Sequence, residues 1–565
     1  MKMTGAQILL ECWQREGVQH VFGYPGGAVI DIYDELTRCP QIKHFLVRHE
    51  QAAVHAADGY ARASDRVGVA LVTSGPGATN TVTGIASAYM DSIPIIVFTG
   101  QVPTALIGND AFQEVDIVGI TRPCTKHNYL VTDIKDLART VHEAFYVARS
   151  GRPGPVLVDL PKNIQQVAIV PEFPDLKHIK IKSYQPTYDA NPRQLKRALE
   201  LILEKERPVL YTGGGIIHSN ASAELLEFAE TLQIPVTSTL MGLGGFPGVH
   251  PLWMGMLGMH GTYCANMAVS QSDVLIAVGA RFDDRVTGRL DAFAPEAKIV
   301  HIDIDPSSIS KNVVVHIPIV GDCKNALHQL NRLLKHEAPR DWAEERRSWL
   351  EQIRSWEKKN PLRYKKSKDV IKPQYVVEKL WELTQGEAFI TTEVGQNQMW
   401  AAQFYRFKKP RRLMTSGGLG AMGYGFPAAM GVQVACPDEI VIDIAGDGSI
   451  LMNIQELTTV VEHNLPVKIA ILNNAYLGMV RQWQQLLYDK RYSQTSLMAQ
   501  PDFVKVAEAF GAVGLRAEKP EEVEPVIKKA LAANRPVVMD FRVEPEECVM
   551  PMVPAGKAMH EMLLA

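Results

Sequence analysis

Two short stretches late in the chain hold residues whose types and spacing could do chemistry together: "VIDIAGDGSILMN" (441–453) and "KIAILNN" (468–474). In the first, an apolar strand runs into Gly446-Asp447-Gly448-Ser449, and a helix is expected just beyond. Strand, glycine turn and helix start is a common way to hold a phosphate on backbone N–H groups. An aspartate at that point would repel the anion unless a cation lay between them. Asp447 and Asn474 each end an expected strand, where parallel sheets place their ligand sites. A carboxylate, an amide carbonyl and a backbone carbonyl, completed by phosphate oxygens, make an oxygen-only site suited to Mg²⁺. Gly-Asp-Gly alone often marks only an acidic turn. The Asn473-Asn474 pair, with 24 residues between it and Gly448, makes the pattern far more specific.

The rest of the chain bounds what such a site can belong to. With 565 residues, three or four domains are expected at about 150 residues each. A net charge of −3 with no cationic block gives no footprint for nucleic acid or an anionic membrane surface. The long uncharged runs, 67–90 and 92–108, are broken by Gly, Pro, Ser, Thr and Asn and do not read as membrane spans. "MKMTGAQILLECWQREG" reads as an amphipathic helix behind a Thr4 cap, not as a signal peptide. Seven scattered cysteines form no CxxC and no Cys/His cluster, which suggests a reduced, cytoplasmic protein.

Short apolar strands alternate with helical stretches, which predicts parallel sheets in an α/β class. Linkers are expected at 165–193, ending "YQPTYDANP", and at 336–373, charged and bounded by prolines. They define domains at 1–165, 190–335 and 370–545, with a tail at 546–565. The first and third domains echo each other. Gly75 and Gly446 are 371 apart; Pro94 and Pro466, and Gly23 and Gly395, are 372 apart. Three coincidences in register predict two domains of one fold flanking a different middle one.

The metal motif and its spacing resemble those of thiamine-diphosphate enzymes, whose pyrimidine- and diphosphate-binding domains are duplicated in this way. That chemistry also needs a carboxyl to share a proton with the aminopyrimidine, best in an apolar site that raises its pKa. In "VRHEQAAVHAADGYAR" (47–62), Glu50 opens an Ala-rich helix in the domain opposite the metal motif. By itself it would read as a surface glutamate at a helix start.

The whole chain resembles the catalytic subunits of the acetohydroxyacid synthase (acetolactate synthase) family. The resemblance is carried by "FGYPGGAV", "RHEQAAVHAADGYAR", "TSGPGATN", "DSIPIIVFTGQV", "DAFQEVD", "GRPGPVLVDLPK", "GMLGMHGT", "GARFDDR", "TSGGLGAMGYGFPAA", "GDGS" and "LGMVRQWQ", from residue 22 to about 485. It implies three doubly wound parallel-sheet domains, the first and third of the thiamine-diphosphate-binding fold and the middle one Rossmann-like. It implies Glu50 as the catalytic glutamate, and Asp447, Asn474 and the Tyr476 carbonyl as Mg²⁺ ligands. Gln396, Gly420, Met422, Gly446 and Ser449 fall on thiamine diphosphate-binding segments, with Met422 as an apolar wedge under the cofactor. Phe112, Gln113, Lys162, Arg285 and Trp483 match the substrate pocket, to which Met479 and Val480 are added by their place beside Trp483. Arg285 and Lys162 suit a 2-ketoacid carboxylate. FAD is implied at Arg152, Met259, His260, Arg281, Asp303 and Asp322. The middle domain has no GxGxxG, so FAD rests on the resemblance.

The implied reaction is decarboxylation of pyruvate and transfer of its two-carbon unit to pyruvate or 2-ketobutyrate. A homodimer or tetramer with sites at subunit interfaces, and a small regulatory subunit, are implied as partners. Pyruvate oxidase, or another carboligase using thiamine diphosphate and FAD, is the nearest alternative. Glyoxylate carboligase would place an aliphatic residue at Glu50, and a catalytically dead scaffold would not need Glu50, Asp447 and Asn474 intact. One departure stands out. Gly395-Gln396-Asn397-Gln398 replaces the usual Gly-Gln-His-Gln, so Asn397 is expected to keep a hydrogen-bond donor near the diphosphate but to lose a possible charge.

Overall fold

The computed structural model describes residues 1–175, 179 and 181–564. Residues 176–178 and 180 of the expected first linker, and Ala565 of the expected tail, lie outside the described residues.

Three parallel six-stranded sheets form, as the strand–helix alternation requires. The first contains His20–Tyr24, Lys43–Leu46, Gly68–Val72, Ile95–Gln101, His127–Leu130 and Val156–Pro161. Numbered along the chain, its spatial order is 2-1-3-4-6-5. The third sheet, Phe389–Thr392, Leu413–Met414, Val441–Gly446, Lys468–Asn473, Val513–Ala517 and Val537–Arg542, has the same order. The register of glycines and prolines therefore reflects two copies of one topology. The middle sheet runs Pro208–Thr212, Val236–Ser238, Trp253–Met256, Val274–Val278, Lys298–Asp303 and Ile317–Val320, in the order 3-2-1-4-5-6. That is the doubly wound dinucleotide-type order. Central strands such as Val274–Val278 are buried throughout because helices cover both faces, which explains their unbroken apolar sequences.

The N-terminal helix forms as expected. Thr4 and Gln7 make a reciprocal capping box for Gly5–Arg15. The expected linker at 336–373 differs. It contains helices Trp342–Glu345 and Arg347–Lys359, and Trp349, Ile353 and Trp356 are buried in the middle domain's core. The spacing i, i+4, i+7 is that of one helix face. The heavy charge of the other face, turned to water, gave the stretch its linker-like composition. The tail is likewise packed, with Val549, Met552, Val553, Ala558 and Met559 buried. Among the described residues no helix is long and apolar enough to cross a membrane.

The first and third domains share one continuous apolar core. At its centre, helix Glu50–Ser64 lies directly on helix Gly425–Ala435. A Cβ at Gly59 would collide with the Ala428 carbonyl, and one at Gly431 with the Ala56 carbonyl. Glycine is required on each helix because backbone meets backbone. Beside the crossing, buried Arg62 bonds Asp58 at 2.6 Å and Asp91 at 2.9 Å, and Asp58 also accepts from the Tyr424 hydroxyl at 2.5 Å. Gly431→Val should lower stability by about 3 kcal/mol or more, the upper end of overpacking penalties. Thermal or urea unfolding of the purified variant checks this, and wild-type stability would rule out a close-packed crossing.

Candidate active site

Asp447 sits where strand Val441–Gly446 ends, and strand Lys468–Asn473 runs beside it with Gly446 opposite Leu472. Parallel pairing therefore brings Asp447 and Asn474 to the same sheet edge. The Asp447 carboxyl accepts from the Asn474 backbone N–H, and burial pushes it up to about 7. Its Oδ2 is buried without a hydrogen-bond partner. A buried carboxylate oxygen left bare is costly unless a cation meets it. Asn474 Oδ1 accepts from the Tyr476 N–H at 3.0 Å, which curls the chain around the amide. Its Nδ2 donates to Gln396 Oε1 at 3.1 Å, which leaves the amide oxygen side toward the turn. Among the described residues no cluster of three or more His, Cys, Asp and Glu could hold a metal ion. Asp447 and Asn474 put one carboxylate and one amide at this edge, oxygen donors of the kind hard cations take.

Gln396 stands behind Asn474 instead of facing open space. It is buried, and its Nε2 donates to Gln482 Oε1 at 2.8 Å and to the Glu547 carbonyl at 3.0 Å. Asn397 corrects an expectation. Both of its amide hydrogens go to backbone carbonyls, those of Glu393 at 2.9 Å and Ile444 at 2.8 Å. No donor remains for a phosphate. Asn397 instead ties the ends of two neighbouring strands together beneath Gly446.

A cavity of about 600 Å³ lies where all three domains meet. Arg152, Met259, His260, Arg281, Asp303 and Asp322 all line it, and so do Arg285, Gly420, Met422, Met479, Val480 and Trp483. Met479 and Trp483 share a face of helix Gly478–Leu487. His260, pushed down to about 4 by burial, is neutral and bonds the Pro551 carbonyl at 3.2 Å. Arg152 is held by Asp305 at 3.0 Å, and Asp322 caps helix Cys323–Leu334 by accepting from Asn325 N–H at 3.0 Å. The middle domain's contribution to the wall includes Gly213-Gly214-Gly215. Cβ atoms at Gly213 and Gly215 would strike the backbone of Gly279 and Ala280, so the two turns pack in contact. A Cβ at Gly214 or Gly420 would meet its nearest neighbours, Met241 and Val394, only at ordinary contact distance.

Glu50, Phe112, Gln113 and Lys162 are not part of this cavity wall. They lie together at the strand ends of the first domain. Glu50 opens its helix as expected, and its Oε2 accepts from Asn80 Nδ2 at 2.9 Å. Gly75 packs on Gln113, and Gly77 lies beside Glu50. Lys162 Nζ donates to the Gly27 carbonyl at 2.9 Å. Arg285 lines the cavity and Lys162 does not, although the resemblance implies one pocket for both. The Phe112 ring is 88 % exposed.

Three positions escaped the sequence reading. Asp91 accepts from the N–H groups of Gly417 at 3.0 Å and Gly418 at 2.7 Å, and so shapes the loop before Met422. Glu393 accepts from Gly423 N–H at 2.7 Å and Phe426 N–H at 3.1 Å on the other side of Met422. Gln482 grips the tail, accepting from Val549 N–H at 2.7 Å and donating to its carbonyl at 3.0 Å. Polar residues inside otherwise helical or strand-like runs were the available signal, but nothing local names their partners.

Matching topologies at the two ends, a dinucleotide-type middle sheet between them and the Asp447–Asn474 sheet edge are the architecture of a thiamine-diphosphate enzyme. Family models agree over the corresponding segments: the thiamine pyrophosphate enzyme N-terminal binding domain at 3–120, the central domain at 195–330 and the C-terminal binding domain at 393–541. The chain is 51% identical to the acetolactate synthase isozyme 3 large subunit of Escherichia coli, covering 100% of this chain and 99% of that protein. It is 50% identical to the probable acetolactate synthase large subunit of Methanocaldococcus jannaschii over 98% of this chain and 94% of the relative. It is also 50% identical to the chloroplastic acetolactate synthase 1 of Zea mays, over 99% of this chain and 88% of the relative. The chain belongs to the acetolactate synthase large-subunit family of thiamine-diphosphate enzymes.

The tail's attachment is testable by itself. Gln482→Leu leaves the Val549 backbone groups and one Gln396 amide hydrogen without partners, at a cost of about 1–3 kcal/mol. Limited proteolysis should then cut within residues 545–564 faster than in wild type; equal rates would mean that apolar packing alone holds the tail.

Proposed function

We propose that the chain decarboxylates pyruvate and transfers the two-carbon unit to pyruvate or 2-ketobutyrate, giving 2-acetolactate or 2-aceto-2-hydroxybutyrate for valine, leucine and isoleucine synthesis. The observation that carries this reading is the three-domain cavity, in which Met422, Met479, Trp483 and Arg285 share one wall system with the middle domain's glycine turns. Bound thiamine diphosphate supplies the nucleophilic carbon and the electron sink for the exchange. Asp447, Asn474 and the Tyr476 carbonyl would hold Mg²⁺, and the bare Asp447 oxygen fits that role. Backbone groups of Gly446 and Ser449 would meet the diphosphate. The Glu50 carboxyl would share a proton with the aminopyrimidine ring nitrogen. Arg285, Lys162 and Gln113 orient the ketoacids, and Phe112 closes over them. FAD would occupy the cavity along Arg152, Met259, His260, Arg281, Asp303 and Asp322, whose wall also includes Gly214 and Gly420.

Glu50, Phe112, Gln113 and Lys162 lie away from the cavity, and an exposed Phe112 wants an apolar partner. Both features support a homodimer or tetramer with sites completed between subunits. The relatives' names as large subunits support a small regulatory subunit, and the absence of nucleic-acid and membrane features in the sequence supports a cytoplasmic enzyme. The direct test is acetolactate formation from pyruvate with and without Mg²⁺ and thiamine diphosphate, with flavin absorbance followed throughout. No acetolactate, or flavin reduced by pyruvate, would overturn the reading.

Glu50→Gln should bind cofactor normally but slow acetolactate formation by on the order of 10²-fold or more. Wild-type turnover at saturating cofactor removes Glu50 from the mechanism. Asp447→Ala should abolish Mg²⁺-dependent cofactor binding in calorimetry while the fold is kept; unchanged affinity would exclude the metal role. Trp483 offers the extra methyl group of 2-ketobutyrate an apolar contact, worth roughly 10- to 200-fold in preference over pyruvate. Trp483→Leu should erode that preference in a two-ketoacid competition while acetolactate is still made, and an unchanged product ratio would leave Trp483 a packing residue only.

A further inference from the structure

Nine residues after Asp447, Glu456 is fully buried at the end of the turn Ile454–Glu456. One of its carboxyl oxygens reaches the first domain, and the other meets Thr459 three residues on. Oε1 accepts from the Arg48 N–H at 2.9 Å, and Oε2 is 2.7 Å from the Thr459 hydroxyl. That hydroxyl is also 3.2 Å from the Leu46 carbonyl. Glu456 and Thr459 thus grip both ends of the short turn between strand Lys43–Leu46 and helix Glu50–Ser64.

The hydrogen bonds carry information about protons. Thr459 has one hydroxyl hydrogen and two acceptors, the Leu46 carbonyl and Glu456 Oε2. Both contacts are satisfied together when Glu456 is the carboxylic acid. Its O–H then donates to Thr459, and Thr459 donates to Leu46. Burial pushes Glu456 up to about 7, in agreement with that arrangement, while hydrogen bonds from Thr459 and Arg48 and the Arg48 charge oppose it. The other charged or titratable groups close by are His49, Glu462, which pairs with Arg48 at 2.7 Å, and His463, whose ring lies 4.7 Å from that of Phe45.

We propose that Glu456 is a positioning residue for Glu50. It fixes the backbone of residues 46–49, so the segment that carries Asp447 also sets the direction in which Glu50 leaves its helix. This rests on the proposed role of Glu50. Glutamine at 456 reproduces the acid's pattern, because its oxygen accepts from Arg48 and its amide donates to Thr459. Leucine keeps the volume and loses both bonds.

The experiment compares Glu456→Leu, Glu456→Gln and Thr459→Val with wild type and Glu50→Gln. In the ligand-free protein, hydrogen exchange at the Arg48 amide should speed up at least tenfold in Glu456→Leu and stay near wild type in Glu456→Gln. With saturating Mg²⁺ and thiamine diphosphate, exchange of the cofactor's reactive C–H should slow on the order of 10²-fold in Glu456→Leu. It should recover in Glu456→Gln, with cofactor affinity unchanged in both. Glu456→Leu placed on Glu50→Gln should add little further loss, because both act on one step. Thr459→Val should show a smaller loss of the same kind, and it carries the test if Glu456→Leu does not fold. Unaltered C–H exchange in a folded Glu456→Leu or Thr459→Val, or a full additional loss on Glu50→Gln, overturns the proposal. Normal exchange in Glu50→Gln itself overturns instead the role given to Glu50.

Discussion

Backbone-to-backbone contact between helices Glu50–Ser64 and Gly425–Ala435 is the constraint on which the rest of the molecule depends. Gly59 and Gly431 let the two axes approach until each meets a carbonyl of the other helix. Small residues such as Ala52, Ala53, Ala56, Ala57, Ala428 and Ala429 fill the remaining seam, and all are fully buried. A close seam of this kind is stiff, since protein interiors pack as densely as organic crystals and have no slack for sliding. The two thiamine-type domains are therefore one body with a single core, and the ends of their strands keep a fixed relation.

Charge is used sparingly around that seam, and each charge has a structural task. Arg62 bridges Asp58 and Asp91 out of water, an arrangement that is weak as a source of stability but costly to break on one side. Its value lies in geometry. Asp91, held by Arg62, turns two further lone pairs to the N–H groups of Gly417 and Gly418. The loop leading to Met422 is thereby shaped from the opposite domain. Glu393 does the same from behind, through the N–H groups of Gly423 and Phe426. Met422 reaches the cavity between two carboxyl anchors.

The same logic extends to the tail. Glu547, Val549 and Pro551 offer backbone groups to Gln396, Arg481, Gln482 and His260, which belong to the third and middle domains. The Val553 N–H donates to the Met259 carbonyl at 2.8 Å. A segment with little secondary structure is held because its backbone polar groups find partners at the rim of the cavity. Gln396 joins this network to Asn474, so the Asp447–Asn474 edge, the tail and the cavity wall form one connected set of hydrogen bonds.

The class of fold, the duplication and the meeting of Asp447 with Asn474 at one sheet edge were legible in the sequence. These follow from local rules: side-chain periodicity separates strands from helices, glycine turns mark strand ends, and covalent spacing carries the motif. The cavity-lining residues were legible only through the resemblance, because no dinucleotide fingerprint occurs at Gly213–Gly215. Other features were decided by tertiary structure alone. The helix Arg347–Lys359 looked like a linker because its charged face dominates the composition, and only the core it meets shows why Trp349, Ile353 and Trp356 are spaced as they are. Asn397 looked like a phosphate donor until two carbonyls from different strands took both of its hydrogens. Asp91, Glu393 and Glu456 are ordinary acids in the sequence. Their roles come from burial and from partners that are 30 to more than 400 residues away along the chain, and chain neighbours carry no record of such partners.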